Sequence, residues 1–373
     1  MKIATSKIFG PAALLALSLI LSACSAASAD QPTGTTSDAT TTVQNLSGTL
    51  NAGGSSAQTA AQDAWRAGFQ AAYPSATVNY DPVGSGAGRT GFTSGAYAVV
   101  GTDDAFSADE LSAGGFASCA TADIVEVPAY ISPIAFAFNL PGITSLNLDA
   151  ATAAQIMTGA ITTWDDAAIA ALNPGVTLPS TTITPVHRSD KSGTTGNVTD
   201  YLSQAAPAAW TFGRTETWPT DLAGEAAEKT QGVVAAIQSA AGAVGYVDAS
   251  QASGLGVASL VGTSGSPVAP TADAATKALS ASTLQTGRGA TDLAFDVART
   301  PSDPTAYPMI MVSYLVACQK YNDANIGALA RGYVAYAVSN DGQQAAASNA
   351  GSAPLSVDAD LQAKVAAAVD TIS

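Results

Sequence analysis

Residues 187–195 read His187-Arg188-Ser189-Asp190-Lys191-Ser192-Gly193-Thr194-Thr195. They complete a run at 182–188 that predicts a β-strand, and they precede residues 198–204, which predict a helix. The loop between these two elements consists mainly of small and hydroxyl residues. The first turn of a helix has unpaired N–H groups and the positive end of the helix dipole. A loop of this kind at a helix start is therefore suited to an oxyanion.

The same order of strand, small-residue loop and helix occurs twice more, nearer the N-terminus. Residues 47–52 and 77–80 predict strands, each followed by glycine and serine residues and then by a helix. A single serine or threonine before a helix is most simply an N-cap. Three such loops, with an arginine beside one of them, favour an oxyanion site. The alternation of short apolar strands and alanine-rich helices predicts an α/β fold with mostly parallel sheets.

Composition narrows the class of ligand and partner. The chain has 373 residues, enough for two lobes of ordinary domain size, and 47% of them are hydrophobic. It has 14 basic and 29 acidic residues and a net charge of −15 at pH 7. Because proteins bind nucleic acids through basic surfaces, this balance predicts no nucleic-acid partner. An anion site in this chain must be built from local dipoles and one or two arginines.

Common catalytic and cofactor motifs do not occur in the sequence. Neither Ser85 nor Ser192 lies in a Walker-type string, and Ser85 lacks the glycine pattern of a nucleophile elbow. One histidine is too few for a histidine-rich metal site. The acidic doublets at 103–104 and 165–166 are more typical of turns or helix caps than of metal ligands. We therefore expect no metal, no cofactor and no enzymatic activity.

The N-terminal segment predicts export and a membrane anchor. An apolar run at 8–21 follows two lysines and is short for a membrane span, and Leu21-Ser22-Ala23-Cys24 resembles a bacterial lipobox. We predict that residues 1–23 are a signal peptide, that Cys24 carries a lipid and that residues 24–45 are a flexible tether. An ordinary signal peptide with a chance cysteine is the alternative. The first interpretation predicts an extracytoplasmic protein that is lipid-anchored to the cell membrane.

An ordered set of short motifs runs through the rest of the chain. They are Ala52-Gly53-Gly54-Ser55-Ser56, Asn79-Tyr80, Val83-Gly84-Ser85-Gly86-Ala87-Gly88, Gly101-Thr102-Asp103-Asp104-Ala105, Ile161-Thr162-Thr163-Trp164-Asp165-Asp166, Leu172-Asn173-Pro174-Gly175, residues 187–195 and Gly242-Ala243-Val244-Gly245-Tyr246-Val247. With these motifs the chain resembles the phosphate-binding subunit of Pst-type ABC importers from about residue 46 to the C-terminus. The string from Arg188 to Thr195 is highly specific, whereas the glycine loops alone are not.

The resemblance implies a type II periplasmic-binding-protein fold. In this α/β fold two lobes are joined by two crossover segments, and the ligand lies in the cleft between the lobes. The crossovers are expected near residues 130–134 and 307–313. Lobe one then comprises residues 46–131 and 309–373, and lobe two comprises residues 132–308.

The resemblance also implies which residues hold the ligand. The expected ligand-binding residues are Ser55, Ser56, Ser85, Asp104, Arg188, Ser192, Gly193 and Thr194. Asp190 is expected to orient Arg188. The sequence departs from the family at Ser55-Ser56, where Thr-Phe is frequent, and at Ala105-Phe106-Ser107, where Ala-Pro-Leu is frequent.

The implied function is that of a receptor for inorganic phosphate that delivers it to the membrane permease subunits of an ABC importer. A receptor for sulfate, molybdate or an organic phosphate is the alternative of the same class. Asp104 disfavours it, because a fully ionised oxyanion has no proton to donate to a carboxylate. A secreted phosphohydrolase is the alternative from another class, and it would need a general base or metals for which the sequence gives no candidate.

The last expectation concerns the remaining cysteines. Cys119 and Cys318 are the only two left once Cys24 carries a lipid, and the compartment outside the cytoplasm is oxidising. Each lies beside a predicted strand near one of the crossovers. We therefore predict a disulfide between them, with two separately buried thiols as the alternative.

Overall fold

The computed structural model describes residues 45–262, 264–355 and 358–373. The predicted signal peptide at 1–23, the lipidation site at Cys24 and all but the last residue of the predicted tether lie outside the described residues. Within the described ranges, no helix is both long enough and apolar enough to cross a membrane.

The first lobe begins with three parallel strands. β1 (Gly48–Gly54), β2 (Ala76–Asp81) and β3 (Val99–Thr102) are arranged in the order β2-β1-β3. α1 (Thr59–Ala72) connects β1 to β2, and α2 (Ser85–Ser94) connects β2 to β3. Because the strands are parallel, their carboxyl ends lie along one edge of the sheet. The loops that open α1 and α2 are therefore neighbours.

Two long strands pass between the lobes. β4 (Ile124–Phe138) and β13 (Ile310–Cys318) are antiparallel and buried along their whole lengths. β13 also pairs with β3. β4 pairs with β13 as far as Pro133, and from Ile134 onward it pairs with β8 (Ala243–Asp248) of the second lobe. The pairing partner of β4 therefore changes between Pro133 and Ile134.

The second lobe extends the sheet on both sides of β4. β8 pairs in parallel with β6 (Thr184–Arg188), and β6 pairs in parallel with β7 (Glu225–Ala227). β4 also pairs with β9 (Gly256–Val261), which pairs in turn with β5 (Ser145–Asp149) and β10 (Pro267–Val268). As in the first lobe, the carboxyl end of a parallel strand, β6, leads into a loop and a helix.

The remaining elements are helices and a short two-stranded ribbon. In chain order they are α3 (Ala108–Ala113), α4 (Ala150–Met157), α5 (Ala167–Leu172), α6 (Gly193–Ala205), α7 (Lys229–Ser239), a 3₁₀ turn (Ala249–Gln251), α8 (Ala272–Ser280), β11 (Thr283–Leu284), β12 (Phe295–Asp296), α9 (Ala324–Val338), α10 (Asn340–Ala350) and α11 (Ala359–Val369). β13 returns the chain to the first lobe, where α9 and α10 pack against α1.

The core of the first lobe follows from the periodicity of α1. Trp65 and Phe69 lie four residues apart and are fully buried. The Trp65 ring meets the ring of Tyr130 edge-on at 6.5 Å, and its indole N–H donates to the carbonyl of Gly342 at 2.9 Å. Large aromatic side chains with satisfied polar atoms contribute strongly to such cores. Trp65 thereby fixes α1 against both β4 and α10.

A disulfide joins Cys119 to Cys318 in the structure, with Cα atoms 5.2 Å apart. Cys318 is the last residue of β13 and lies opposite Ile124, the first residue of β4. The bridge is therefore at the lobe-one end of both crossing strands. It connects positions 199 residues apart, and the whole of the second lobe lies between them.

We expect the bridge to stabilise the fold by up to about 5 kcal/mol, through the chain entropy of closing so long a loop. The double variant Cys119→Ala/Cys318→Ala should lower the free energy of unfolding in urea by up to that amount. Alkylation of the unfolded, unreduced wild-type protein should label Cys24 at most. Labelling of two further thiols would contradict the bridge.

Candidate functional site

The three loops singled out in the sequence meet in the structure. Ser55 follows β1, Ser85 is the first residue of α2, and Ser192 is the N-cap of α6. All three serines are buried. The N–H of Gly86 donates to the carbonyl of Lys191 at 3.1 Å, so a loop of the first lobe touches the loop of the second. The N-termini of helices from both lobes therefore lie next to one another.

The carboxylate of Asp103 lies at the centre of these loops. The Ser55 hydroxyl donates to its Oδ1 at 2.6 Å, and the Thr194 hydroxyl donates to its Oδ2 at 2.9 Å. The Asp103 backbone N–H donates to Oγ of Ser85 at 3.2 Å. Asp103 is only 3% exposed. Together with Arg188, described below, we call Ser55, Ser85, Asp103 and Thr194 the cradle.

Asp104, the acid expected from the sequence, lies elsewhere. Its carboxylate forms an ion pair with Arg214, on the side of α6 near Gly196. Burial raises the pKa of Asp104 to about 6, although the charge of Arg214 opposes this shift. Both acids directly follow β3, yet their carboxylates have different partners. Of the two acids, Asp103 and not Asp104 contacts Ser55 and Thr194.

Asp190 holds the guanidinium of Arg188, as expected. Nε of Arg188 donates to Oδ1 at 2.7 Å and Nη2 donates to Oδ2 at 2.5 Å. Burial favours the neutral acid, yet the bonds to Arg188 keep the pKa of Asp190 below its ordinary value. A Cβ on Gly84, whose φ is +94°, would lie 2.5 Å from Oδ2, so this position requires glycine. With one edge of the guanidinium on Asp190, Nη1 lies on the opposite edge.

Tyr246 fixes the strand and the helix on either side of this loop. Its hydroxyl accepts the backbone N–H of Arg188 at 3.1 Å and shares a hydrogen bond with Oγ1 of Thr195 at 2.7 Å. Burial raises the pKa of Tyr246 to about 12, so the phenol is neutral. The indole of Trp218 stacks on Tyr246 and on His187, with ring centroids 5.8 and 5.0 Å apart. The end of β6 is thus rigidly supported.

Ser192 and Gly193 shape the start of α6. Oγ of Ser192 accepts the N–H of Thr195 at 3.2 Å, so its side chain caps the helix. A Cβ on Gly193 would lie 2.8 Å from the backbone nitrogen of Asp104. Glycine here lets the helix start approach the end of β3 closely, which brings Thr194 to Asp103.

Ser56 connects the two lobes through its side chain. Its hydroxyl lies 3.0 Å from Oγ1 of Thr230 and accepts the backbone N–H of Thr230 at 3.0 Å. The preceding residue, Lys229, has a φ of +64°, and its N–H donates to Asp190 at 3.0 Å. Strained backbone of this kind is concentrated at functional sites. Sequence reasoning missed Lys229 and Thr230, because the loop before α7 lacks the glycine pattern of the other three.

Ion pairs join the lobes beside the cradle. Arg89 of α2 is 2% exposed, and its Nη2 contacts both carboxylate oxygens of Glu216 at 2.6 and 2.9 Å. Its Nη1 donates to Oγ1 of Thr102 at 3.0 Å. Nζ of Lys191 lies 3.2 Å from Glu216 and 3.3 Å from Glu110. These charges balance one another across the two lobes.

A cavity of about 590 Å³ adjoins this ion-pair region, with Asp103, Asp104 and Arg214 in its wall. The hydroxyl residues of the cradle and Arg188 do not line it. The cavity therefore meets the cradle at Asp103 alone. Across residues 45–262, 264–355 and 358–373 no group of three or more His, Cys, Asp or Glu side chains is arranged to hold a metal ion.

Comparison with known proteins identifies the family. A domain family described as the PBP superfamily domain matches residues 32–341. The phosphate-binding protein PstS 2 of Mycobacterium tuberculosis is 34% identical over 329 residues, which cover 87% of each chain. PstS 3 of the same organism is 36% identical over 330 residues, 86% of this chain and 87% of the relative. The chain belongs to the PstS family of phosphate-binding proteins.

Solved structures share the fold of this chain. A high-affinity periplasmic phosphate-binding protein, PfluDING, solved with bound phosphate, has a TM-score of 0.66 to this PstS-family chain. It is 23% identical, and the match covers 86% of this chain and 93% of the other. This likeness confirms the expected periplasmic-binding-protein fold. Because the PstS family consists of binding proteins, the chain is a receptor and not an enzyme.

We expect Glu216→Gln to lower the free energy of unfolding of this PstS-family chain by about 3 kcal/mol, because it leaves a buried arginine charge without its main partner. Urea unfolding monitored by circular dichroism measures this change. Asp63→Asn is the matched control, because it removes an ion pair whose side chains are 33% and 64% exposed. Its expected effect is below about 0.5 kcal/mol. Equal effects of the two substitutions would show that the Arg89 pair is not a structural link.

Proposed function

We propose that this protein is an extracytoplasmic receptor that binds inorganic phosphate in the cradle, between its two lobes. One observation carries the proposal: hydroxyls from different lobes, Ser55 and Thr194, converge on the buried carboxylate of Asp103. The guanidinium of Arg188 lies beside Gly84, the residue before Ser85. Membership of a family whose relatives are named phosphate-binding proteins supports the choice of ligand.

The cradle offers a tetrahedral oxyanion several kinds of donor. Ser55, Ser85 and Thr194 supply O–H groups, and the starts of α1, α2 and α6 supply backbone N–H groups and helix dipoles. Nη1 of Arg188 supplies a charge-assisted hydrogen bond. These are local attractions, and a chain with a net charge of −15 depends on them.

Asp103 gives the cradle a preference among oxyanions. Its carboxylate accepts a hydrogen bond from a protonated ligand oxygen, and phosphate keeps at least one proton near neutral pH whereas sulfate keeps none. An unprotonated oxygen against this carboxylate leaves a buried acceptor unsatisfied and adds charge repulsion. The hydrogen bonds of Ser55 and Thr194 to Asp103 favour Asp103 over Asp104 as this acceptor. Sulfate and molybdate are the weaker alternatives.

Delivery to membrane permease subunits of an ABC importer completes the proposed role. The predicted signal peptide at 1–23 and the lipobox at Cys24 support attachment to the outer face of the cell membrane by a lipid. A flexible tether over residues 24–45 spans roughly 25 Å on average. The receptor would then stay within reach of membrane subunits while its lobes remain free to bind ligand.

Isothermal titration with phosphate, arsenate, sulfate and molybdate tests the proposal. Phosphate and its close analogue arsenate should bind, and sulfate and molybdate should bind at least about 100-fold more weakly. Incubation with a phosphomonoester should release no phosphate. Tighter binding of sulfate or molybdate would reassign the ligand, and steady release of phosphate would reassign the class.

Arg188→Ala should weaken phosphate binding by about 30-fold or more, because a charge-assisted bond of this kind contributes on the order of 2 to 5 kcal/mol. The fold should persist, as shown by an unchanged circular dichroism spectrum. Arg331→Ala is the control, since Arg331 is 47% exposed and pairs with Asp370 at the surface. An Arg188 variant with wild-type affinity would remove this residue from the site.

Substitutions of the adjacent acids Asp103 and Asp104 should have different effects on the preference for phosphate over sulfate. Asp103→Asn should narrow the preference for phosphate over sulfate by at least about tenfold, or 1.4 kcal/mol, because an amide can donate to an unprotonated oxygen. Asp104→Asn should leave that preference unchanged. Competition titrations at one pH and one salt concentration measure both ratios. The reverse result would return the ligand-binding role to Asp104.

A further inference from the structure

A row of buried side chains connects the helices of the first lobe to the cradle. The Tyr333 hydroxyl donates to Oε1 of Gln62 at 2.6 Å, and Nε2 of Gln62 donates to Oε1 of Gln58 at 2.7 Å. Nε2 of Gln58 then donates to Oγ of Ser313 at 2.6 Å. The Ser313 hydroxyl lies 2.7 Å from Oδ1 of Asp103. The other four members of this row are all fully buried, so the row is shielded from water: Tyr333, Gln62, Gln58 and Ser313.

The direction of this row is fixed by its surroundings. Nε2 of Gln58 also donates to the carbonyl of Tyr314 at 3.1 Å, and a carbonyl can only accept. The amide nitrogen must therefore face Ser313, which accepts from it and keeps its own O–H as a donor. The acceptors within reach are Oδ1 of Asp103 at 2.7 Å and the carbonyl of Thr102 at 3.2 Å. Because the contact with Asp103 is the shorter of the two, the Ser313 O–H donates to Oδ1 of Asp103.

An irregularity in β13 places Ser313 at this point. The register of β13 on β4 shifts between Ser313 and Tyr314. Such bulges re-aim side chains and are frequent beside functional sites. Ser313 pairs with Tyr130 of β4 in the segment where the chain passes between the lobes. Its hydroxyl therefore reaches Asp103 from a crossing strand, whereas the other donors reach it from the ligand-facing loops.

This difference matters once an anion is bound. In the proposed function, on which this inference rests, the O–H groups of Ser55 and Thr194 turn to the anion. The O–H of Ser313 is outside the cradle and stays on Oδ1. We propose that Ser313 and Gln58 are positioning residues, which hold the Asp103 carboxylate so that Oδ2 is presented to the ligand proton. They thereby set the selectivity for a protonated oxyanion.

Removal of the Ser313 hydroxyl should affect the two anions differently. A carboxylate without this anchor can rotate within the cradle. It then accepts less well from the protonated oxygen of phosphate, and it no longer directs its charge at the oxygens of sulfate. Phosphate binding should weaken while sulfate binding does not. A role limited to the stability of the fold would weaken both anions equally.

Competition titrations of the full-length protein with phosphate and sulfate test this inference. Ser313→Ala should lower phosphate affinity by about tenfold and narrow the phosphate-to-sulfate ratio by at least about fivefold. Gln58→Met, which removes the donor to Ser313 at similar volume, should narrow the ratio in the same direction. Ser132→Ala is the matched control: Ser132 is also fully buried on a crossing strand, and its hydroxyl donates to the carbonyl of Pro133 at 3.4 Å. The phosphate-to-sulfate affinity ratio of Ser132→Ala should equal that of the wild type.

The outcomes separate this inference from the proposed function. If the wild type binds phosphate selectively and Ser313→Ala has the same phosphate-to-sulfate ratio, the positioning role is wrong and the proposed function stands. Equal weakening of both anions in Ser313→Ala also overturns the positioning role, because that pattern indicates a structural hydroxyl. A wild type that does not bind phosphate overturns the proposed function and this inference with it. A narrowed ratio in Ser313→Ala and Gln58→Met, but not in Ser132→Ala, supports both.

Discussion

A buried carboxylate in an acidic protein has to be surrounded by donors, and much of this structure serves that requirement at Asp103. The hydroxyls of Ser55, Thr194 and Ser313 donate to its two oxygens at 2.6 to 2.9 Å. They come from the first lobe, the second lobe and a crossing strand. Burial of an ionised group is costly unless it is hydrogen-bonded. The carboxylate therefore ties together the two lobes and a strand that crosses between them.

The same principle organises the positive charges. Arg188 is paired with Asp190, and Arg89 is paired with Glu216, so each buried guanidinium has a carboxylate beside it. The two pairs nevertheless differ in use. Asp190 occupies one edge of Arg188 and leaves the other edge for a ligand, whereas Arg89 is surrounded by protein acceptors. Arg188 therefore keeps the edge that the proposed phosphate site needs, whereas Arg89 joins the lobes.

The sequence predicted the α/β class, the family fold and the loops that form the cradle, because strand, glycine loop and helix are local patterns. The family motifs predicted Arg188, Asp190 and Asp104 as site residues. The sequence could not show that Asp103 contacts Ser55 and Thr194, because two adjacent acids after a strand have the same local pattern. The contacts of Gln58 with Ser313, 255 residues apart, and of Ser56 with Thr230, 174 residues apart, have no local signal. Only the folded chain brings such pairs together.

The position of the disulfide has a mechanical consequence for the movement of the lobes. Cys119 and Cys318 join the chain at the lobe-one end of both crossing strands, so β4 and β13 leave the first lobe from a covalently fixed base. The segment that forms the second lobe is therefore closed into a covalent loop by this disulfide. Any opening of the cleft must occur by bending of β4 and β13 at positions beyond the disulfide. The disulfide prevents the lobe-one ends of the two strands from separating. The cross-link thereby gives the crossover one covalently anchored end.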